Sequence, residues 1–516
     1  MKLASMPHSF RIGIAFVLLG AIACANASDT PSIAVTTSSA QLAAAIDARI
    51  NEPRFASASW GIDVMSLDTG RSLYLHNANQ LFQPASTAKL YTAALALDTL
   101  GGDYRIPTRV LATARIEHGR LEGPLILRGM GDPTLGTSGA NVNWADQLAM
   151  QVAAHGVREV QGDLIADDTY FSGPSVGAGW EARDLQSWFG APSSALSVQE
   201  NVVNVTVTPA NEPGTRAWLM FNPPGAMIQV VNTMTTSDRS AQNDINLYRA
   251  PGDAILYSFG HVAAQSEPKS FKLAIADPAG FAGMLLRQAL TRHGIRIDGP
   301  VRTLRWPASY QPELDKAEVL GQVLSPPIME ILTSGLKRSQ NLYLQNLLQV
   351  AGVKAKAEAE QGGNANTGFL STDAWGIRAL RKLLDRIGIS PGASQIEDGS
   401  GLSRQDLTTP RAMVQLLSHL ASQPYAKSLR DALPIAGIDG TLEQRMRDTA
   451  AAGNVHAKTG SMTYVRCLSG YVTTASGERL VFTIMLNNFV RRSHDPDPSF
   501  DLDAMAELLA AFRGHS

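Results

Sequence analysis

The chain has few of the residues that would stabilise or specialise it cheaply. It holds two cysteines in 516 residues, only 6% aromatics and 17% charged residues. So few cysteines exclude a disulfide framework, and a formal charge of −2 excludes a basic nucleic-acid-binding surface. No apolar run is long enough to span a bilayer, so no stable transmembrane anchor is expected. No histidine is followed by glutamate, so the zinc-peptidase pattern H-E-x-x-H cannot occur, and nothing calls for a metal or a cofactor. Stability must come from packing, and the length predicts more than one core.

The amino terminus reads as an export signal. Lys2 and Arg11 precede the apolar run Ile12 to Ala23, and Ala25-Asn26-Ala27 supplies small residues for cleavage. Residues 1–27 are therefore set apart as a signal peptide and the mature chain as periplasmic; lipid attachment at Cys24 is the alternative, disfavoured by Ala21. Cleavage removes two of the 44 basic and none of the 46 acidic residues, leaving 42 against 46, with Cys467 as the lone cysteine.

Trp60 to Ala78 alternates around Asp68-Thr69-Gly70, as a β-hairpin does. Pro84 opens a helix through Leu90, Leu95 and Leu97 that stops at Gly101-Gly102. Near the other end, Tyr464 to Thr474 and Arg479 to Asn487 read as strands, and Asp501 to Phe512 as a closing helix. The expectation is an α+β fold: an antiparallel sheet built from both chain ends, with helices packed on it. From about Arg105 to Pro278 short β-like runs alternate with Gly, Pro, Asn and Asp, which reads as inserted β-rich material. The tract Val353 to Gly368 reads as an exposed loop or a frayed helix end.

Ser86-Thr87-Ala88-Lys89 begins the first helix, and three residues is nearly one turn, so amine and hydroxyl share a face. A serine hydroxyl needs a base, and a buried lysine with a lowered pKa can be one. The spacing alone is weak, because Ser266 to Lys269 and Ser334 to Lys337 repeat it. Two further elements add weight: Ser339-Gln340-Asn341 is the only S-x-N in the chain, and Lys458-Thr459-Gly460 the only K-T-G. Lys458 at a strand entrance would place a second cation near Lys89, lowering its pKa by repulsion. Ser339 could relay a proton, Asn341 could bond a substrate carbonyl, and Gly460 could admit a substrate backbone.

In that order the three elements are those of penicillin-binding proteins and serine β-lactamases. The chain resembles the low-molecular-mass class C penicillin-binding proteins, D-alanyl-D-alanine carboxypeptidases that also act as endopeptidases. Arg128 to Leu135 (R-G-M-G-D-P-T-L), Gly162 to Phe171, Ala191 to Ser197 and Asp398 to Arg404 (D-G-S-G-L-S-R) carry that resemblance beyond the motifs. It implies a transpeptidase-like domain, 28–105 with 279–516, interrupted by residues 106–278 as two nested β-rich domains. It implies that Ser86 is the nucleophile and Lys89 its base, with Ser339, Asn341 and Lys458 assisting. The backbone N–H groups of Ser86 and Ser461 would form the oxyanion hole, and Thr459 with Lys458 would hold a terminal carboxylate. Asp167 and Arg404 would receive the stem peptide's diamino acid. Peptidoglycan peptides are the implied partners and beta-lactam antibiotics the implied covalent inhibitors. Two alternatives use the same residues, a serine β-lactamase and a non-catalytic peptidoglycan-binding scaffold. A third, an esterase elbow at Gly173-Pro174-Ser175-Val176-Gly177, lacks a following helix pattern and reads as a loop.

Overall fold

The computed structural model describes residues 36–137, 141–226, 229–308, 313–363 and 368–516. The expected signal peptide, Cys24 and residues 364–367 of the Ala/Lys/Glu tract lie outside them. Among the described residues no helix is long and apolar enough to cross a membrane.

A five-stranded antiparallel sheet joins the two chain ends in the order Ser72–His76, Ser59–Ser66, Arg479–Asn487, Val465–Thr473, His456–Met462. The first hairpin turns at Gly70, whose φ of 73° suits glycine. Arg479–Asn487 is buried along nearly its whole length because both its faces are covered. Val481 and Met485 pack into the main core with the helix Pro410–Ala421. Phe482 and Ile484 have the opposite parity and are buried on the other face. The helices Ser39–Ile50 and Ser499–Ala511 pack on that side.

The main core continues into a helical layer. Lys89–Thr99, Ile328–Lys337, Asn341–Gln361 and Thr372–Arg386 bury Leu90, Leu332, Leu344 and Leu380 together. The first half of Asn341–Gln361 is buried on all sides, and its second half runs into solvent to Gln361. Of the tract read as an exposed loop or a frayed helix end, residues 353–361 form the outer end of this helix.

A second core belongs to the chain between Ile106 and Ser325. A mixed sheet orders Val301–Leu304, Leu164–Asp167, Leu125–Arg128, Pro107–Ala112 and Glu318–Leu324. The helices Trp144–Ala154 and Pro278–Arg292 share its core. Within this region, Val202–Thr208 pairs with Trp218–Asn222 and Lys269–Ala274, and a separate sheet forms around Ile255–Ala263. The two crossings into the region are fastened side by side: Ile106 N–H donates to Ser325 Oγ at 2.8 Å, and Ser325 N–H to Ile106 O at 2.9 Å. Strand pairing therefore runs on to Leu324, past the boundary at 278 read from the sequence. Pro278 marks the first turn of a helix capped by Asp277, a local start signal that carries no information about which core the helix joins.

Candidate active site

Ser86 lies in a 3-10 turn, Ala85–Ala88, that feeds the helix Lys89–Thr99. Three residues per turn make positions 86 and 89 eclipse, so the side chains meet more directly than on an α-helix. Lys89 Nζ lies 2.8 Å from Ser86 Oγ. It also lies 2.6 Å from Asn341 Oδ1 and 2.6 Å from the Ser400 carbonyl. The last two can only accept. Asn341 is held in this orientation because its Nδ2 donates to Phe189 O at 2.7 Å. A neutral amine has two N–H donors and one lone pair. With both N–H groups spent on Asn341 and Ser400, the lone pair is left for the Ser86 hydroxyl proton.

The electrostatics agree. Lys89 is wholly buried, and burial lowers its pKa from 10.5 to about 7, against the opposing pull of Asp398 and Asp406. Burial and the charge of Asp398 push Asp406 well above the usual range. Asp398 accepts from Trp180 Nε1, Ser400 Oγ and Gly401 N–H, which fixes the loop whose carbonyl touches Lys89.

Lys458 lies inside the edge strand His456–Met462, two residues past its start. Its amine donates to Ser339 Oγ at 2.9 Å and Thr459 O at 2.7 Å. Burial and then the Lys89 charge lower its pKa well below normal. The like-charge repulsion expected from the sequence thus acts on Lys458, while burial is what lowers Lys89. The outer edge of this strand faces the site. Ala457 N–H donates away from the neighbouring strand to Pro434 O at 3.0 Å, and alternation puts the N–H groups of Thr459 and Ser461 on that same edge. Thr459 Oγ1 pairs with Thr441 Oγ1 at 2.7 Å.

Two glycines bring these pieces together. A Cβ on Gly460 would stand 2.6 Å from Pro84 O, and one on Gly401 would stand 2.0 Å from Ala85 O. Both let backbone close on the two residues before Ser86. Gly460 therefore accommodates the chain's own turn, in place of the substrate backbone expected of it. Asn341, expected to bond substrate, has both ends of its amide engaged, because the turn before its helix carries it against Lys89 on one side and Phe189 on the other.

A cleft of ≈ 540 Å³ is lined by Ser86, Ser339, Asn341, Thr459, Ser461 and Arg404, among others. Arg404 is held by Glu181 at 3.1 Å and donates to Thr463 O at 3.2 Å. Asp167 is not among the residues lining this cleft. It is buried at the end of its strand, where Oδ1 accepts from Thr169 N–H and Oγ1 and Oδ2 lies 4.0 Å from Arg128. Arg183 and Asp184 reach the cleft from the interrupting region instead. Ser175, of the esterase-like stretch, sits in irregular chain where its carbonyl accepts from Ser193 N–H. Among the described residues no group of His, Cys, Asp and Glu could hold a metal ion.

The D-Ala-D-Ala carboxypeptidase 3 (S13) family model matches residues 42–512. The D-alanyl-D-alanine carboxypeptidase of Actinomadura sp. (strain R39) is 35% identical over 91% of this chain and 84% of its own length. D-alanyl-D-alanine carboxypeptidase DacB of Haemophilus influenzae is 29% identical over 80% and 82%. The crystal structure of penicillin binding protein 4 (dacB) from Haemophilus influenzae superposes with a TM-score of 0.76 at 24% identity, covering 90% of this chain and 97% of that one. The same protein has been solved in complex with a novel beta-lactam.

Proposed function

The chain belongs to the D-Ala-D-Ala carboxypeptidase 3 (S13) family, and from that premise we propose how its residues carry out the reaction. It is a serine D-Ala-D-Ala carboxypeptidase. Ser86 is the nucleophile and neutral Lys89 the base. As Ser86 Oγ attacks the carbonyl of the penultimate D-alanine, its proton passes to the Lys89 lone pair. The oxyanion gathers charge between the N–H groups of Ser86 and Ser461, at the start of the helical turn and on the strand edge. The C–N bond then breaks, the amine of the last D-alanine takes up a proton, and the acyl group stays as an ester on Ser86. Water attacks the ester, releasing the shortened peptide and restoring the hydroxyl. Ser339, bonded to Lys458, relays protons to the leaving amine, while Lys458 and Thr459 receive the terminal carboxylate.

The observation that carries this reading is the set of three oxygens around Lys89 Nζ, two of which can only accept. The edge of His456–Met462 beyond Ala457, which carries the N–H groups of Thr459 and Ser461, supports binding of an extended stem peptide as an added strand. The interrupting region, 106–324 by strand pairing, adds Asp184 to a cleft end where Arg404 is held by Glu181, and that charged wall supports recognition of a diamino acid side chain. Cleavage of cross-links, a periplasmic location after loss of residues 1–27, and acylation by beta-lactams belong to the same reading. Exposure to benzylpenicillin followed by peptide mapping tests it. One adduct on the Ser86 peptide, absent in Ser86→Ala together with peptide hydrolysis, is the expected result; label elsewhere or unchanged hydrolysis in the variant refutes it.

A further inference from the structure

Three consecutive residues, Gln199, Glu200 and Asn201, hold left-handed backbone, with φ of 50°, 58° and 56°. None is glycine, and such conformations persist in residues with a Cβ only where the surroundings over-determine them. Here they do. Gln199 N–H donates to Leu135 O at 2.7 Å. Asn201 is wholly buried, accepts from Val198 N–H at 3.0 Å, and donates to Pro192 O at 2.9 Å and Ser197 Oγ at 3.0 Å. All of these anchors lie in the interrupting region. Glu200, in contrast, reaches out of it.

Its carboxylate meets the segment that carries Ser339. Oε1 accepts from Arg338 Nη1 at 2.7 Å and Tyr343 OH at 3.0 Å. Oε2 accepts from Arg338 Nη2 at 2.8 Å and Gln340 Nε2 at 2.5 Å. The guanidinium is thus held by a two-pronged ionic fork, the strong form of such contacts. Ser339 stands between two of these partners, itself left-handed at φ 55°, and its hydroxyl receives Lys458. Asn341 follows directly, touching Lys89. Glu200 therefore grips the chain before Ser339, between Ser339 and Asn341, and beyond Asn341, while bonding neither.

We propose that Glu200 is a positioning residue for the reaction: it fixes the left-handed backbone at Ser339 and the helix start at Asn341, and through them the alignment of Lys458 and Lys89. The inference rests on the reading that Ser86 is acylated with Lys89 as base. It assigns part of the catalytic precision to a residue outside all three motifs and inside the interrupting region. A salt bridge that merely docked two parts of the fold would need no contact on Gln340, the residue that lies between the two functional ones along the chain.

The test is the second-order rate of Ser86 acylation by benzylpenicillin, followed by intact mass, alongside the melting temperature. The cluster borders an open cavity of ≈ 580 Å³, so shortening Glu200 leaves no sealed void. Glu200→Ala should slow acylation by about 10- to 100-fold, the penalty of ångström-scale misplacement. Glu200→Gln keeps one acceptor and should recover part of that rate. A role in stability alone would lower the melting temperature and leave the rate of the folded enzyme untouched, so Glu200→Ala reacting within about twofold of the parent overturns the inference. Should that variant fail to fold, Gln340→Met removes the contact from the other side; slowed acylation supports the inference and an unchanged rate overturns it. A parent enzyme that forms no Ser86 adduct would sink the underlying reading instead.

Discussion

Acylation of Ser86 should follow the titration of the Lys89 amine, whose burial sets the direction of the shift. Its pKa falls from 10.5 to about 7 because the amine is buried. At about pH 5 roughly 1% of the enzyme then carries a neutral Lys89, and at about pH 8 roughly 90% does. The acylation rate should therefore fall about tenfold per pH unit below neutrality and level off above it. Benzylpenicillin trapping, quenched at intervals and read by mass, measures this directly. Asp398→Asn removes a negative neighbour that favours the ammonium, so the midpoint should move to lower pH. Asp406 pulls in the same direction, so Asp406→Asn should also move the midpoint to lower pH. The stability of the fold has its own sign. Lys89 titrates lower in the native state than in the unfolded chain, so between about pH 7 and 10.5 only the unfolded chain holds the proton and stability from this group rises with pH. A midpoint near the ordinary lysine value, or an acid limb that Asp398→Asn shifts upward, would refute Lys89 as the base.

Two further outcomes follow from the same geometry. Gly401→Ala would place a Cβ 2.0 Å from Ala85 O at a φ of +77°; displacement of Ser400 O or Ser86 by about an ångström should cost on the order of 100-fold in acylation rate, measured against the melting temperature. Asn341→Asp puts a carboxylate 2.6 Å from the Lys89 amine in place of a neutral amide oxygen and gives up the donor to Phe189 O. The Lys89 pKa should rise, so acylation at neutral pH should fall and partly recover in alkaline buffer.

Much of the site was legible because its chemistry is written in side chains at fixed spacing. Ser86 and Lys89 are three apart, and any helical turn brings them together. The hairpin was legible from alternation around Asp68-Thr69-Gly70, and the closing strands as the runs Tyr464 to Thr474 and Arg479 to Asn487. What escaped was backbone and burial. The partner that completes the Lys89 environment is the carbonyl of Ser400, a group every residue possesses, so the D-G-S-G-L-S-R stretch could be noticed without its role being visible. The role expected of Asp167 rests on the family resemblance alone. Only the fold shows its carboxylate folded back on Thr169. Glu200 gave no signal at all, since nothing in its neighbours predicts three left-handed residues in a row.

The order of strands in the five-stranded sheet governs when the enzyme can exist. Arg479–Asn487, far along the chain from the first hairpin, lies between Ser59–Ser66 and Val465–Thr473. It is the bridge between the hairpin leading to Ser86 and the strand bearing Lys458. Contacts this distant along the chain form late and slowly. A chain that carries Ser86, Lys89 and Ser339 but lacks Arg479–Asn487 has no strand joining the first hairpin to the strands that present Lys458, and the sheet that gathers these residues cannot close.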